Sequence, residues 1–361
     1  MTGDRKGAMV TPFGVGIAGA GVISAAHARA IEALDGVRLV AVADPVEAAS
    51  RALATSHQAD WVNDAAKLCG RPDIDIVVLT TPSGLHAEQA IAAARAGKHI
   101  VSEKPMATTP EDADRMINAA NEAGVKLAVI FQNRFHRDAM RLKRAMEAGL
   151  FGRPVLGNAL VHWHRSQGYY DGSDGWRGTW ALDGGGALMN QSIHTIDLLQ
   201  WIMGPIERLS AETATLAHTI ETEDTASAAL QFTNGALGTI QGTTAAPADA
   251  PIRLEIVGTG GRGILEGGRL TVWEPEREVA DDELLTDRDR ELTEGWQADE
   301  PFGAAHVRQW RAIVAALRSG EEPPVPGAEA RKAVEIIRAI YESAETGNRV
   351  TLATKSGELT S

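Results

Sequence analysis

One cysteine, Cys69, stands in the whole chain of 361 residues. It excludes an internal disulfide framework and a cysteine-built metal cluster, and it fits a reducing compartment. Apolar runs are short, and none reaches the ~20 residues that cross a bilayer. The opening stretch has no apolar run before its first glycine-rich turn, so no secretory leader is expected. These absences lead to the expectation of a soluble, cytoplasmic protein with no membrane partner. Basic residues are outnumbered, 35 Lys and Arg against 48 Asp and Glu, for a formal net charge of -13. No nucleic-acid partner is expected, because gripping phosphates needs a concentrated basic patch. An anionic small molecule stays open, since a few local arginines make a positive pocket in an acidic protein. Internal repeats, low-complexity tracts and a flexible linker are missing too. Part of the acidic excess sits in 274–300, which reads as a solvated loop or an exposed strand edge.

What is present has two grammars. Up to residue 131, short apolar runs (13–18, 37–43, 74–80, 99–102, 125–131) alternate with helical spacing (23–34, 85–96, 110–123). That alternation implies βαβ units and a parallel sheet buried on both faces. From residue 132 the pattern changes. A helix over 136–148, a strand over 154–164 and a helix over 186–203 lead into strand-like runs at 206–216, 224–232, 236–243, 252–257, 263–265 and 269–273. Asn234-Gly235 between two of them signals a hairpin. Helices over 302–318 and 327–345 follow. The expected fold is an α/β Rossmann domain, residues 1–131, followed by an α+β domain, residues 132–361, with a large, mostly antiparallel open sheet. Without a linker, the two should pack on each other.

Gly19-Ala20-Gly21-Val22-Ile23-Ser24 lies between the first strand and the first helix. There Gly19 permits the tight turn and Gly21 the close approach of a pyrophosphate, which rests on the amides of the helix start at Val22 and Ile23. Ser24 takes the third small position. Asp44 closes the second strand, where a carboxylate accepts from ribose hydroxyls and repels a 2′-phosphate, so NAD is expected over NADP. The competing reading is a plain Asp-Pro turn with Pro45. Thr81, Pro82 and Ser83 end a strand at the carboxyl edge, the ligand edge of such sheets. His86 after them either contacts the cofactor or is a helix-start histidine with a solvated ring.

Glu103-Lys104-Pro105 ends another strand at that edge. Gly184-Gly185-Gly186-Ala187-Leu188-Met189-Asn190-Gln191-Ser192-Ile193-His194-Thr195-Ile196-Asp197 opens the helix of the second half, with Asn190 and His194 four apart. With Asn133-Arg134-Phe135 and the C-terminal helices, these segments resemble the Gfo/Idh/MocA oxidoreductase family, which includes glucose–fructose oxidoreductase and inositol dehydrogenases. The resemblance spans most of the chain. It implies that Lys104 and His194 are catalytic and that Glu103, Lys104, Asn133, Trp176 and Arg177 join the cofactor site. It also implies a sugar or cyclitol substrate and a homodimer or homotetramer built through the C-terminal sheet. Many members carry Asp where this chain has Asn190, and Gly where it has Ser192. The Asn-Gln-x-Ile-His variant is similar to a branch containing nucleotide-sugar 3-dehydrogenases. Asn190 cannot be a base, but it can orient a hydroxyl or an imidazole.

Oxidising a secondary alcohol requires loss of the hydroxyl proton as the C–H bond breaks. His194 is the better base, and Lys104 suits stabilisation of the alkoxide. The bland alternatives are a surface lysine before a turn and a core histidine paired with Asp197; Asp197 is otherwise expected to orient His194 or cap local structure. The stretch His162-Trp163-His164-Arg165 through Tyr169, Tyr170, Trp176, Arg177 and Trp180 is the expected substrate wall. Arg134, His164, Arg165, Tyr169, Arg177 and Asn190 meet the sugar there beside Lys104 and His194, unless the tryptophans are simply core. His162 and His164 share a strand face, yet lack a third ligand, so no metal is expected. The resemblance also implies C-terminal residues near the substrate, which makes His306, at the start of the helix after Phe302, a further candidate. An NADPH-dependent keto-sugar or anhydro-sugar reductase and a non-catalytic dinucleotide-binding regulator are the alternatives. Asp44 argues against the first, and Lys104 with His194 against the second.

Overall fold

The computed structural model describes residues 11–172, 175–297 and 300–352. Residues 1–10, which carry half of the stretch read for a leader, lie outside the described residues. No described helix is long and apolar enough to cross a membrane.

Six strands form the first sheet: β1 Phe13–Ala18, β2 Val37–Ala43, β3 Asp60–Val62, β4 Ile76–Leu79, β5 His99–Ser102 and β6 Leu127–Val129. Their order is β3-β2-β1-β4-β5-β6, and every pairing is parallel. Val15, Ile17, Val42, Ile76 and Val78 are fully buried, as strands covered on both faces require. The order reverses between β1 and β4, which opens a crevice beyond their carboxyl ends. Helix ends follow local chemistry. Thr109 caps the helix Pro110–Ala123 by accepting from Asp112 N–H at 3.2 Å, Pro110 takes the first turn, and Gly124 closes it at φ 66. The sequence reading passes over β3 and its flanking helices Glu47–Ser56 and Ala65–Cys69. β3 is three residues long with no fully buried side chain, too little for a periodic signal.

The second sheet has β7 Pro154–His162, β8 Ile206–Ala214, β9 Thr225–Phe232, β10 Leu237–Thr243, β11 Arg253–Gly258, β12 Arg262–Glu266, β13 Arg269–Glu274 and β14 Val350–Thr351. Their order is β13-β12-β11-β7-β10-β9-β8-β14, antiparallel except for the β7–β10 pair. Helices Ile193–Met203 and Gly327–Thr346 cover one face. A continuous apolar core runs from Leu79 and Val129 of the first sheet through Ile337 and Ile196 to Leu230 and Ile256 of the second. The halves therefore share a core, as the missing linker suggested. The helix Ala304–Ser319 returns to the first half, where Trp310, Ile313 and Val314 join Val15 and Ile17.

The acidic stretch is a correction. It is neither loop nor strand edge throughout, because it folds into helices Asp281–Leu284 and Asp287–Leu292. Thr286 and Asp289 cap the second one reciprocally, and Asp289 is buried against Arg144 Nε at 2.7 Å and Nη2 at 2.8 Å. The helix over 186–203 also differs from its expectation. It begins as a π-helical turn, Ala187–Ser192, and continues as an α-helix, Ile193–Met203. Such wide turns cluster at functional sites.

Candidate active site

A cavity of about 1430 Å³ lies over the carboxyl ends of the first sheet and reaches the helix Ile193–Met203. Gly19, Gly21, Val22, Ile23, Asp44, Thr81, Pro82 and Ser83 line one end, together with Asn133 toward the second half. At Gly19, φ is 103 and a Cβ would come within 2.7 Å of the Thr80 carbonyl, so only glycine fits. At Gly21 a Cβ would meet no protein atom within 4 Å; its open side belongs to the cavity. The helix that follows has no acidic residue in its first turn, so its positive end is unopposed. These are the features that a pyrophosphate needs. The Asp44 carboxylate accepts from Ala20 N–H and Val46 N–H, both at 2.8 Å. The Asp-Pro turn thus leaves the carboxylate on the cavity wall. Each oxygen keeps a lone pair for a ribose hydroxyl.

His86 lines the cavity as well, and the alternative reading, a helix-start histidine with a solvated ring, falls. It is buried, with Nδ1 3.0 Å from the Pro105 carbonyl and Nε2 2.9 Å from the Thr81 carbonyl. Its ring braces the Thr81 turn against the Lys104–Pro105 turn, whose peptide is cis. Glu103 is buried beneath. Its Oε1 lies 2.9 Å from His27 Nε2 and 3.7 Å from His306 Nε2, and its Oε2 accepts from Lys104 N–H at 3.1 Å. Burial alone would raise this carboxyl, but the His27 and His306 rings outweigh it and hold it well below its usual range. His27, Glu103 and His306 are spaced for a metal ion. The network argues otherwise. Trp310 Nε1 donates to His27 Nδ1 at 2.9 Å, and an indole N–H can only donate. His27 therefore carries its proton on Nε2 and gives it to Glu103, leaving no lone pair there for a metal. His306 reaches the cavity wall from this cluster.

At the other end Lys104 Nζ donates to the Asn190 carbonyl at 2.8 Å, which makes Lys104 a site residue rather than a surface lysine. Burial lowers its pKa, opposed by the charges of Glu103 and Asp183. His194 packs edge-on against Phe131, ring centres 5.7 Å apart, and its Nδ1 is sealed without a hydrogen-bond partner. Burial first, then the Lys104 ammonium, push its pKa down to about 3, so the ring rests neutral. It is not a core histidine paired with Asp197. That carboxylate is taken by Arg134, through Nε at 2.8 Å and Nη2 at 2.6 Å. Two expectations fall together: Asp197 does not orient His194, and Arg134, buried in this ion pair, does not line the cavity. His164 is a third correction. β7 ends at His162, the alternation stops, and His164 turns outward with Nδ1 2.9 Å from the Ala246 carbonyl.

The aromatic–arginine wall is present. Arg165 lies over Trp163 at 5.0 Å and Tyr169 at 5.5 Å; Arg177 lies over Tyr169 at 4.3 Å and Trp176 at 5.0 Å. All five line the cavity, whereas Trp180 packs on Tyr341 outside it. Three residues here escaped the sequence reading. Gln191 lines the cavity and donates to the Tyr169 hydroxyl at 2.9 Å. Asp183, just before the glycine triplet, is buried and accepts from Asn190 Nδ2 at 2.6 Å. Glu223 accepts from Gly186 N–H at 3.0 Å, Leu188 N–H at 2.8 Å and the Tyr341 hydroxyl at 2.9 Å, fixing the start of the π-helical turn. The triplet is explained by crowding, since Cβ atoms there would meet Thr108 at 2.6 Å, the Tyr341 hydroxyl at 2.2 Å and the Glu223 carbonyl at 1.9 Å. An acidic residue beside the triplet was a usable signal for Asp183; nothing local marks Glu223.

Burial raises Glu223 from 4.5 to about 7 against the pull of its three donors. The folded chain then holds a proton that the unfolded chain has lost. This group's contribution to stability falls as pH rises between those two values, by about 1.4 kcal/mol per unit. A Glu223→Gln variant keeps a neutral group and should gain on the parent chain in melting temperature between pH ~5 and pH ~8. Parallel melting curves across that window would reject this account.

Comparison with known proteins matches residues 13–131 to the oxidoreductase family with an NAD-binding Rossmann fold, and residues 139–263 to the GFO/IDH/MocA C-terminal domain. Myo-inositol 2-dehydrogenase of Thermotoga maritima is 28% identical over 94% of this chain and 98% of its own. Levoglucosan dehydrogenase of Pseudarthrobacter phenanthrenivorans is 29% identical over 68% of this chain and 72% of its own. The WlbA dehydrogenase of Bordetella pertussis, solved with NADH and UDP-GlcNAcA, superposes with TM-score 0.88 at 38% identity, covering 95% of this chain and 98% of that one.

Proposed function

The chain belongs to the GFO/IDH/MocA oxidoreductase family of NAD-binding sugar and cyclitol dehydrogenases, and from that premise we propose that it oxidises a secondary alcohol of an anionic sugar to the ketone. The observation that carries the reading is the meeting of Lys104 with a neutral His194 in one cavity with the glycine turn. His194 takes the hydroxyl proton, and Lys104 steadies the charge growing on the oxygen. NAD, when bound, accepts the hydride that leaves the same carbon. Burial, and after it Lys104's charge, keeps the resting imidazole neutral. As the alkoxide develops between the two groups it offsets that charge, and His194 becomes a stronger base when the proton must move. Asn190, an amide, orients the hydroxyl rather than reacting.

Arg165 and Arg177, both on Tyr169, support a substrate with a carboxylate or diphosphate. Sugar nucleotides that carry a uronate, such as the UDP-GlcNAcA bound to the Bordetella protein, therefore head the panel, followed by uronates, cyclitols and neutral sugars. Each is mixed with NAD, and NADH absorbance is followed. Turnover restricted to neutral polyols would remove the anionic part, and no turnover on any class would remove the dehydrogenase part.

Asp44→Ala should narrow the NAD-over-NADP preference by roughly tenfold or more, since the lost carboxylate no longer repels a 2′-phosphate. An unchanged ratio of kcat/KM values for the two cofactors would take Asp44 out of the account. We place the NAD-binding part at 1–131 and the substrate part at 132–361. We also assign subunit contacts to the outer face of the second sheet, giving a dimer or tetramer whose mass light scattering measures.

A further inference from the structure

Four side chains form one directed line of hydrogen bonds, three on the cavity wall and the fourth, Asp183, buried behind it. Arg165 Nη2 donates to Gln191 Oε1 at 3.0 Å, Gln191 Nε2 donates to Asn190 Oδ1 at 3.1 Å, and Asn190 Nδ2 donates to Asp183 Oδ1 at 2.6 Å. A side-chain amide can face either way by itself. Here the ends decide. A guanidinium only donates and an ionised carboxylate only accepts, so both amides are locked in one direction between them. Asp183 is 1% exposed, and its other oxygen accepts from Gly178 N–H at 2.9 Å. Residue 190 is also where Lys104 Nζ is anchored, on the backbone carbonyl at 2.8 Å. The carboxylate that the family resemblance leads one to expect at position 190 thus stands one side chain further back.

We propose that Asp183 is a positioning residue that acts through Asn190: its acceptor oxygens fix which end of the Asn190 and Gln191 amides meets the substrate, and its charge stands behind the residue whose carbonyl anchors the Lys104 ammonium. The inference rests on the reading of Lys104 as a reacting group, but its first test needs no substrate. The charged or titrating groups facing Lys104 are Glu103, its neighbour in sequence, Asp183 and Arg177 from the loop of the second half, and His194 from the helix. Of these only Asp183 is altered in the test. Burial has already moved Asp183 up to about 6, so its charge is present at neutral pH.

Acetic anhydride labelling of Lys104, read by peptide mass spectrometry across pH, reports the lysine's titration directly. Asp183→Asn keeps a hydrogen-bonding side chain and removes the charge; the half-labelling pH of Lys104 should fall by about one unit. Asp183→Asn with Asn190→Asp exchanges carboxylate and amide within the same pair, and the labelling midpoint should return to that of the parent chain. With UDP-GlcNAcA and NAD, turnover should drop about tenfold or more in the single variant and recover at least in part in the double. A Lys104 midpoint unmoved by Asp183→Asn overturns the proposal. If the single variant melts below assay temperature, the double variant decides: a displaced midpoint there overturns the proposal, and a parental one upholds it. A parent chain inert on UDP-GlcNAcA, with the labelling shifts intact, would leave Asp183 in its role and reject only that substrate.

Discussion

Lys104→Ala and His194→Ala should each lower turnover at least about 100-fold, with NADH affinity nearly unchanged. The two losses have different origins. Without Lys104, a cation is removed from the oxygen where charge develops, and of the two influences that depress the His194 pKa, burial first and the ammonium second, the second is lost. Its acid limb should then move toward the ordinary histidine range, so the Lys104→Ala residual rate should fall on acidification at a higher pH than in the parent chain. Without His194, Lys104 keeps its anchor on the Asn190 carbonyl, and the residual rate should rise with pH as water or hydroxide replaces the base. Neither side chain holds the fold. Among the described residues His194 Nδ1 has no hydrogen-bond partner and Lys104 Nζ donates to the Asn190 carbonyl alone, so melting temperatures should stay close to the parent value. Fluorescence titration with NADH separates binding from chemistry. Near-parental turnover in both variants would falsify the mechanism.

The second large effect is on stability. Arg134→Ala leaves Asp197 buried without its hydrogen-bonded counter-charge and also takes the guanidinium from Glu329 at 3.6 Å and from the Trp201 face at 5.2 Å. Truncating one partner of a buried pair costs about 3–5 kcal/mol. Burial already raises the Asp197 carboxyl against the pull of Arg134, so the truncated protein should hold that proton at neutral pH and lose stability more steeply as pH rises. Urea unfolding followed by tryptophan fluorescence measures the loss. The KM of the folded variant for its sugar should remain within about threefold, because Arg134 does not reach the cavity. A large rise in KM with unchanged stability would restore Arg134 to the substrate site and sink this assignment. Replacing both partners with apolar residues of similar volume should recover much of the stability.

The contrast between these residues shows what could be read in advance. The glycine turn, Asp44 and Lys104 stand at the ends of short apolar runs, so strand, turn and ligand edge are all encoded within a few neighbours. Asn190 and His194 were found the same way, on one stretch of helix. Arg134 and Asp197 are 63 positions apart, and only the folded chain reveals that they neutralise each other. His164 lies two residues past the end of β7, where the alternation that would face it inward has stopped. Thr286 and Asp289 held a capping signal inside a run of charge that was read by its charge alone. Glu223 is silent in sequence, since its work is to receive amides from a turn more than thirty residues away.

The indole of Trp310, bonded to His27 below the first turn of the cofactor helix, bears on how the protein is made. During vectorial synthesis the parallel sheet leaves the ribosome before the helix Ala304–Ser319, which must cover the flank that carries Val15 and Ile17. Until that late segment emerges, the nascent dinucleotide half shows a bare apolar strip, and His27 lacks its donor. Completion of the dinucleotide half therefore waits for a helix made much later, a schedule that favours chaperone protection over independent early folding. A polypeptide ending at residue 131 should accumulate as aggregate, and supplying the segment 300–352 in trans should recover soluble material that binds NADH.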